Sequence, residues 1–295
     1  MVSKRELQRR LAITGFLLPG GLLFALLVLY PLAQAFVLST YRWVTLSNRV
    51  FVGFDNYLAL ARDRLFWFSM RNTFIFVAGA TALQVGLGFV LGYFLYLQLR
   101  GYRFFKTVFF IPAVLATVGV GFVWGYIYSP SFGLLKPAME ALGLGARFKS
   151  PLATPSMALF AVIVAQFWHF FGIQVMMFNA GFMNMPQEVM EMASIDGASG
   201  LKLIWYMVLP LSWEITKSII ILQVVGALRS FDLVFVMTGG GPNHSTEVLP
   251  MYMFVQAFQN FNIGNGAVAA VVIFVLAMGL TMGLRKMMAR EVVQY

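Results

Sequence analysis

Few side chains in this 295-residue sequence could do covalent chemistry. Cysteine is absent, which removes thiolate nucleophiles, thiolate zinc sites, iron–sulfur clusters and disulfides together. His169 and His244 are the only histidines and fall on different segments, so no cluster of His, Asp, Glu or Ser gathers at one depth as an enzyme would need. What remains is charge and hydrogen bonding in apolar surroundings. Arg229 and Asp232 stand three apart within one apolar stretch, a helical spacing at which they can pair, and Gln223 lies six residues before Arg229. A charge inside a membrane span costs on the order of 2.5 to 3.5 kcal/mol on insertion scales, so such residues face protein or a watery cavity. Gln166, His169 and Gln174 bring polar groups beside Trp168 and Phe170, a mixture of hydrogen bonding and aromatic faces common at sugar sites. Each group has two readings: a solute-lining face, or a structural contact in which Arg229 snorkels outward and His169 is a satisfied packing residue. Gln84, Asn260 and Asn262 are further polar positions, and Glu214 with Lys217 reads as an anchoring pair.

A second constellation lies at residues 184–208. Asn184 can cap a first short helix, with Gln187 three residues later and Pro186 tolerated in its first turn; the helix body is Gln187 to Asp196. Gly197 supplies the permissive backbone for a reversal, and Ser199 can cap a second helix on which Leu201, Ile204, Trp205 and Val208 recur at i, i+3, i+4, i+7. Pattern alone also allows an amphipathic hairpin lying on a membrane surface.

These groups are positioned by membrane-spanning helices. The chain is 60% hydrophobic and 11% charged, where a soluble domain carries roughly 25% charged residues, so a soluble single-core protein is excluded. About 20 apolar residues cross the hydrocarbon as a helix. Residues 11–41, 72–99, 107–135, 150–187 and 248–284 carry no Asp, Glu, Lys or Arg, and trimming at Gly, Pro and polar clusters predicts helices near 11–38, 73–99, 107–128, 155–179 and 264–284. A sixth, near 209–236, is interrupted by Glu214, Lys217, Arg229 and Asp232. The fold class is therefore all-α integral membrane with six transmembrane helices.

The net charge of +10 orients these helices rather than binding nucleic acid, since no basic groove interleaved with aromatics is present. With the N-terminus cytoplasmic, the inner side holds Lys4, Arg5, Arg9, Arg10, Arg100, Arg103, Lys106, Lys202, Arg285, Lys286 and Arg290, against Arg42, Arg49, Arg62, Arg64, Arg71, Lys136, Arg147 and Lys149 outside. Both termini are expected in the cytoplasm. Ala33-Gln34-Ala35 looks like a signal-peptidase site, but the run before it exceeds the 7 to 15 residues of such a signal, so an uncleaved anchor is expected. Gly239-Gly240-Gly241-Pro242 is no phosphate loop, because no Lys-Ser/Thr follows, and Asn243-His244-Ser245 matches a glycosylation acceptor by pattern only.

The hairpin residues carry a resemblance. Glu191-Met192-Ala193-Ser194-Ile195-Asp196-Gly197-Ala198, followed by Val208-Leu209-Pro210, resembles the EAA motif of ATP-binding-cassette importer permeases, with Met192 where that pattern commonly has Ala. Gly53-Phe54-Asp55-Asn56-Tyr57, Phe66-Trp67 and Arg71-Asn72-Thr73 are similar to the segment leading into the second helix of carbohydrate-type permeases. Phe231-Asp232-Leu233 through Thr238 to Pro242, with Thr246-Glu247, is similar to the outer end of their fifth helix and its loop. The likeness is to the disaccharide and glycerol-phosphate branch, without the large extracytoplasmic insertion of some members, since that loop here is about residues 129–153.

The resemblance implies a type I importer permease: residues 1–65 as N-terminal tail, first helix and extracytoplasmic segment, 66–286 as the permease core with coupling loop 184–208, and 287–295 as a cytoplasmic tail. The hairpin would seat in a cytoplasmic ATPase subunit, with Glu191, Ala193, Asp196, Gly197 and Ala198 as coupling residues and Gln223, Arg229, Asp232, Gln166 and His169 as candidate solute contacts. The chain would have no catalytic residue, metal or cofactor of its own, ATP being bound by partner subunits. Implied partners are a second permease, two ATPase subunits, an extracytoplasmic solute-binding protein and the lipid of a bacterial or archaeal cytoplasmic membrane. The alternative is a secondary transporter or channel, which would need ion-coupling carboxylates or broken helices at the midplane.

Overall fold

A computed structural model of the chain describes residues 4–43 and 48–289. In chain order the elements are α1 (Lys4–Phe24), a π-turn (Ala25–Leu29), α2 (Tyr30–Leu38), β1 (Tyr41–Trp43), β2 (Arg49–Phe51), α3 (Asp55–Arg62), α4 (Arg64–Tyr96), α5 (Tyr102–Val114) and α6 (Thr117–Ile127). They continue as α7 (Leu135–Ala141), α8 (Pro155–Met183), α9 (Gln187–Ile195), α10 (Gly200–Leu203), a π-turn (Ile204–Val208), α11 (Leu209–Leu211), α12 (Trp213–Leu228), α13 (Asp232–Thr238), α14 (Leu249–Phe254), a π-turn (Val255–Gln259) and α15 (Ile263–Met287). Arg290, counted above among the inner basic residues, lies outside the described residues with the rest of the tail beyond 289.

Among the described residues four helices are long and apolar enough to cross a membrane: Gln8–Leu38, Arg64–Tyr96, Pro155–Met183 and Ile263–Met287. Two bent pairs bring the number to six when each is counted as one span: α5 with α6, at 99°, and α10–α11 with α12, at 74°. Counted in that way the number equals the six expected, but two of the spans differ in shape. The third, expected as one helix over 107–128, stops at Val114 and restarts at Thr117, with Leu115 and Ala116 in extended conformation. Pro112 lies in the last turn before this break, where its missing N–H removes a ladder bond. The fifth, expected over 209–236, bends at Ser212 two residues after Pro210 and ends at Leu228, so its last third is the separate helix α13. Charge-free windows measure only the hydrocarbon-crossing part, which is why α4 begins at Arg64, nine residues before the expected start.

The chain divides into two compact units. One draws on Met1–Asp63 and Met253–Val272. Its hairpin pairs Tyr41 with Phe51 and Trp43 with Arg49, and Asn56, buried on α3, donates to the carbonyls of Ser39 and Tyr41, both at 2.9 Å. A Cβ on Gly264 would lie 2.4 Å from the Tyr41 carbonyl, so the start of α15 demands glycine there.

The other unit draws on Arg64–Tyr252 and Ile273–Tyr295, and its core is the seam between α4 and α8. Ala80, Ala158, Val162, Ala165, Val175, Phe178 and Phe182 are buried. Small residues set the separation: a Cβ on Gly88 or Gly92 would come within 2.7 Å of the Cβ of Gln174 or Phe178. Gly79 likewise faces Ile163, whereas Gly86 meets nothing within the chain, so three of these four glycines serve packing between α4 and α8. On the opposite side of α8, a Cβ on Gly172 would lie 1.9 Å from the Phe109 carbonyl, which holds α5 at backbone contact.

Candidate functional site

The hairpin is built as a rooted, rigid projection. Gly197 ends α9 in the left-handed region at φ +84°, and the Ala198 N–H donates to the Ala193 carbonyl at 2.9 Å, the six-to-one bond of a Schellman cap. Neither expected side-chain cap forms. Asn184 closes the preceding helix instead, its amide donating to the Ala180 carbonyl at 3.0 Å, and Ser199 occupies the N-cap of α10 without a side-chain bond.

The inner face of the hairpin joins a cluster of Phe178, Phe182, Met185, Met190, Val208 and Ile219, which fastens α9 and the π-turn to α8 and α12. Burying one such side chain stabilises by roughly 1.5–3 kcal/mol relative to exposure, so this root holds the hairpin to the helix bundle. Ala193, expected to be presented to a partner, is buried in the chain itself, and its role is to let α9 lie close. Glu191, Asp196 and Gly197 are exposed and Ala198 is half-buried. Around them Met192, Ile195, Leu201, Trp205 and Tyr206 expose more than half of their surfaces. The expected stripe Leu201, Ile204, Trp205, Val208 therefore splits: the π-turn rotates Val208 inward with Leu203, Met207 and Leu211, leaving Leu201 and Trp205 outside.

The polar interior is organised around one turn of α8. His169 is buried, and its Nε2 lies 3.1 Å from the Leu115 carbonyl, which can only accept, so the ring proton sits on Nε2. Leu115 is the residue at which α5 breaks, so His169 satisfies a carbonyl that the broken helix orphans. Three residues earlier, Gln166 accepts a hydrogen bond from Ser230 Oγ at 3.3 Å, and Ser230 lies in the gap between α12 and α13. Positions one turn apart on α8 thus tie down the break after α5 and the gap between α12 and α13. Gln84 on α4 donates to the Gln166 carbonyl, and Gln174 donates to Gln223 Oε1 on α12. Gln84 Oε1, Gln174 Oε1 and His169 Nδ1 are buried without a partner, leaving the interior capacity for further hydrogen bonds.

Arg229 and Asp232 are not brought together. Among the described residues the ion pairs are Glu6–Arg10, Glu214–Lys217 and His244–Glu247. The helix that was to carry Arg229 and Asp232 on one face ends at Leu228, which puts Arg229 at the C-cap of α12 and Asp232 at the first residue of α13, both exposed. Glu214 and Lys217 do pair, at 2.6 Å, at the start of α12.

The loop after α13, singled out in the sequence for its glycines, its Asn243-His244-Ser245 pattern and Thr246-Glu247, is fastened to α4 in a way the sequence reading did not anticipate. Asn72 on α4 donates to the carbonyls of His244 and Glu247 at 3.2 and 3.1 Å, and the adjacent Thr73 accepts from the Leu249 N–H at 2.8 Å. Thr246, fully buried, shares a hydrogen bond with Thr238 and donates to the Gly241 carbonyl. The available signal was a pair of polar residues, Asn72 and Thr73, at the edge of an apolar run.

The family model described as binding-protein-dependent transport system inner membrane component matches residues 84–293. The trehalose/maltose transport system permease protein MalF of Thermococcus litoralis is 32% identical over 285 residues, 94% of either chain. The sn-glycerol-3-phosphate transport system permease protein UgpA of Agrobacterium fabrum is 29% identical over 265 residues, 89% of either chain. A chain from the crystal structure of a bacterial ABC transporter involved in the import of the acidic polysaccharide alginate superposes with a TM-score of 0.80, covering 98% of this chain and 99% of that one at 18% identity.

Proposed function

The chain belongs to the binding-protein-dependent transport system inner membrane components, and from that premise we propose that it lines half of a carbohydrate pathway and takes its driving force through the hairpin at 184–208. It is a multi-pass permease subunit of an ATP-driven importer. ATP is bound and hydrolysed on two partner ATPase subunits, and this chain brings no cofactor. A second permease completes the pathway, an extracytoplasmic solute-binding protein delivers the solute, and both termini are cytoplasmic. Relatives named for trehalose/maltose and for glycerol 3-phosphate support a sugar, oligosaccharide or glycerol phosphate as solute.

The observation that carries the coupling role is the contrast within α9. Met190 and Ala193 are locked into the core while Glu191 and Ile195 on the same helix, and Asp196 just after it, face outward. A partner gripping the exposed tip moves α8 and α12 with it, because the root is one packed cluster. Glu191 supplies a charge for a basic group on the ATPase, and Gly197 supplies the turn. A pathway between two permeases must be lined by residues at the surface of each chain. By that criterion Arg229 and Asp232 face the solute, while Gln166, His169 and Gln223, all buried, shape the helices behind it.

Two bent spans are also the hardware of secondary transporters, so the deciding test is biochemical. The chain is extracted from native membranes in mild detergent as wild type and as Glu191→Lys. Copurification of an ATPase and a second permease with wild type, and loss of the ATPase from the variant, is the expected result. A homo-oligomer without ATPase would overturn the proposal.

A further inference from the structure

Between α4 and α5 the structure holds a cavity of about 270 Å³ lined by Leu91, Phe94, Leu95, Leu99, Tyr102, Phe105, Phe109 and one charged residue, Arg100. It is smaller than the ~300–1,000 Å³ of typical drug-sized ligand sites and offers almost nothing to satisfy a hydroxylated solute. Its lining suits a slim hydrocarbon. Arg100 directly follows the charge-free run 72–99, which puts it where the span leaves the hydrocarbon.

The charge around the cavity is uncompensated. Arg103 and Lys106 follow Arg100 on the same turn and the start of α5, and residues 64–139 contain no Asp or Glu. Among the described residues none of the three forms an ion pair; Arg103 donates only to the Tyr102 hydroxyl, at 3.3 Å. Gly101, in the left-handed region, starts α5 without a side-chain cap, adding a positive helix end to the same spot. An apolar slot beside three unpaired cations is complementary to a molecule with one hydrocarbon arm and one anion.

We propose that this cavity holds an acyl chain of an anionic phospholipid whose headgroup phosphate is received by Arg100, with Arg103 and Lys106 beside it. The argument rests on the cavity and the local charge, and it stands whether or not the hairpin binds an ATPase. Each basic residue near a membrane surface favours anionic lipid by about fivefold.

The test is native mass spectrometry of the detergent-extracted assembly with dioleoyl phosphatidylglycerol or dioleoyl phosphatidylcholine. The expected result is preferential retention of phosphatidylglycerol, lowered about fivefold by Arg100→Gln and kept by Arg100→Lys. Leu99→Trp, which narrows the cavity from an exposed position, should lower retention of both lipids. Equal retention of the two lipids, or a preference untouched by Arg100→Gln, would overturn the proposal. Displacement by excess inorganic phosphate would do so too, by assigning the arginine to a free anion.

Discussion

Gln166 and His169 are more than nine-tenths buried and each is bonded to a neighbouring segment, whereas Glu191 and Asp196 on the hairpin are exposed and form no ion pair among the described residues. All four were candidates from the sequence, Gln166 and His169 as polar side chains within an apolar span, Glu191 and Asp196 through the resemblance of the hairpin to the EAA motif. The two inside the membrane must find partners within the chain, because an unpaired buried group costs about 1–3 kcal/mol, and the partners they find are the loose ends of two broken helices. The two on the hairpin meet water and have no such obligation. Polarity inside this chain therefore maintains shape, and polarity on the exposed hairpin is available to a partner.

The sharpest way to break that contrast is at the contact that lets α8 act as the hub. Gly172→Ala would push a Cβ against the Phe109 carbonyl, and because backbone must move to relieve it, a loss of about 3 kcal/mol or more is expected. The check is the fraction of protein that stays monodisperse after mild heating in detergent. Next comes His169→Leu, which strands the Leu115 carbonyl and should cost about 1–3 kcal/mol with little change in the KM for transport. A large change in KM at unchanged thermal stability would make His169 a solute contact instead. Gly197→Val is smaller in stability, about 1–2 kcal/mol for a side chain held at positive φ. Its signature is elsewhere: the protein inserts, yet solute-stimulated ATP hydrolysis by the assembly is lost. Normal stimulation in that variant would remove the hairpin from the coupling route.

The six spans were legible because hydrocarbon thickness imposes a length and excludes charge, and both are visible in a one-dimensional string. The turn at Gly197 was legible for a similar reason, since only glycine takes its φ without strain. The breaks at Leu115 and Ser212 were not. Pro112 and Pro210 sit close by, but proline is tolerated in membrane helices whenever neighbours satisfy the freed groups, and at the first break the open Leu115 carbonyl is taken by His169, 54 residues away. The same limit hid the fate of Arg229 and Asp232. A spacing of three predicts a pair only if the helix continues through both, and α12 stops at Leu228, where Ser230 just beyond it bonds to Gln166, 64 residues away in sequence. Ala193 failed differently: a small residue marks close approach, but the pattern does not say which surface approaches.

Arg229 gives the smallest expected effect on stability and the most direct reading of the pathway. It caps the C-terminus of α12, where a cation gains about 0.3–1 kcal/mol from the helix dipole, and it has no ion pair to lose. Arg229→Gln should therefore shift the thermal midpoint only slightly. If the exposed arginine lines the route, transport of an anionic solute should fall while that of a neutral sugar changes little, because a guanidinium recognises phosphate or carboxylate by charge and paired hydrogen bonds that glutamine cannot reproduce. Equal transport of both solutes by variant and wild type would place Arg229 off the path, leaving Asp232 as the exposed candidate and making the charge at the end of α12 a matter of helix termination alone.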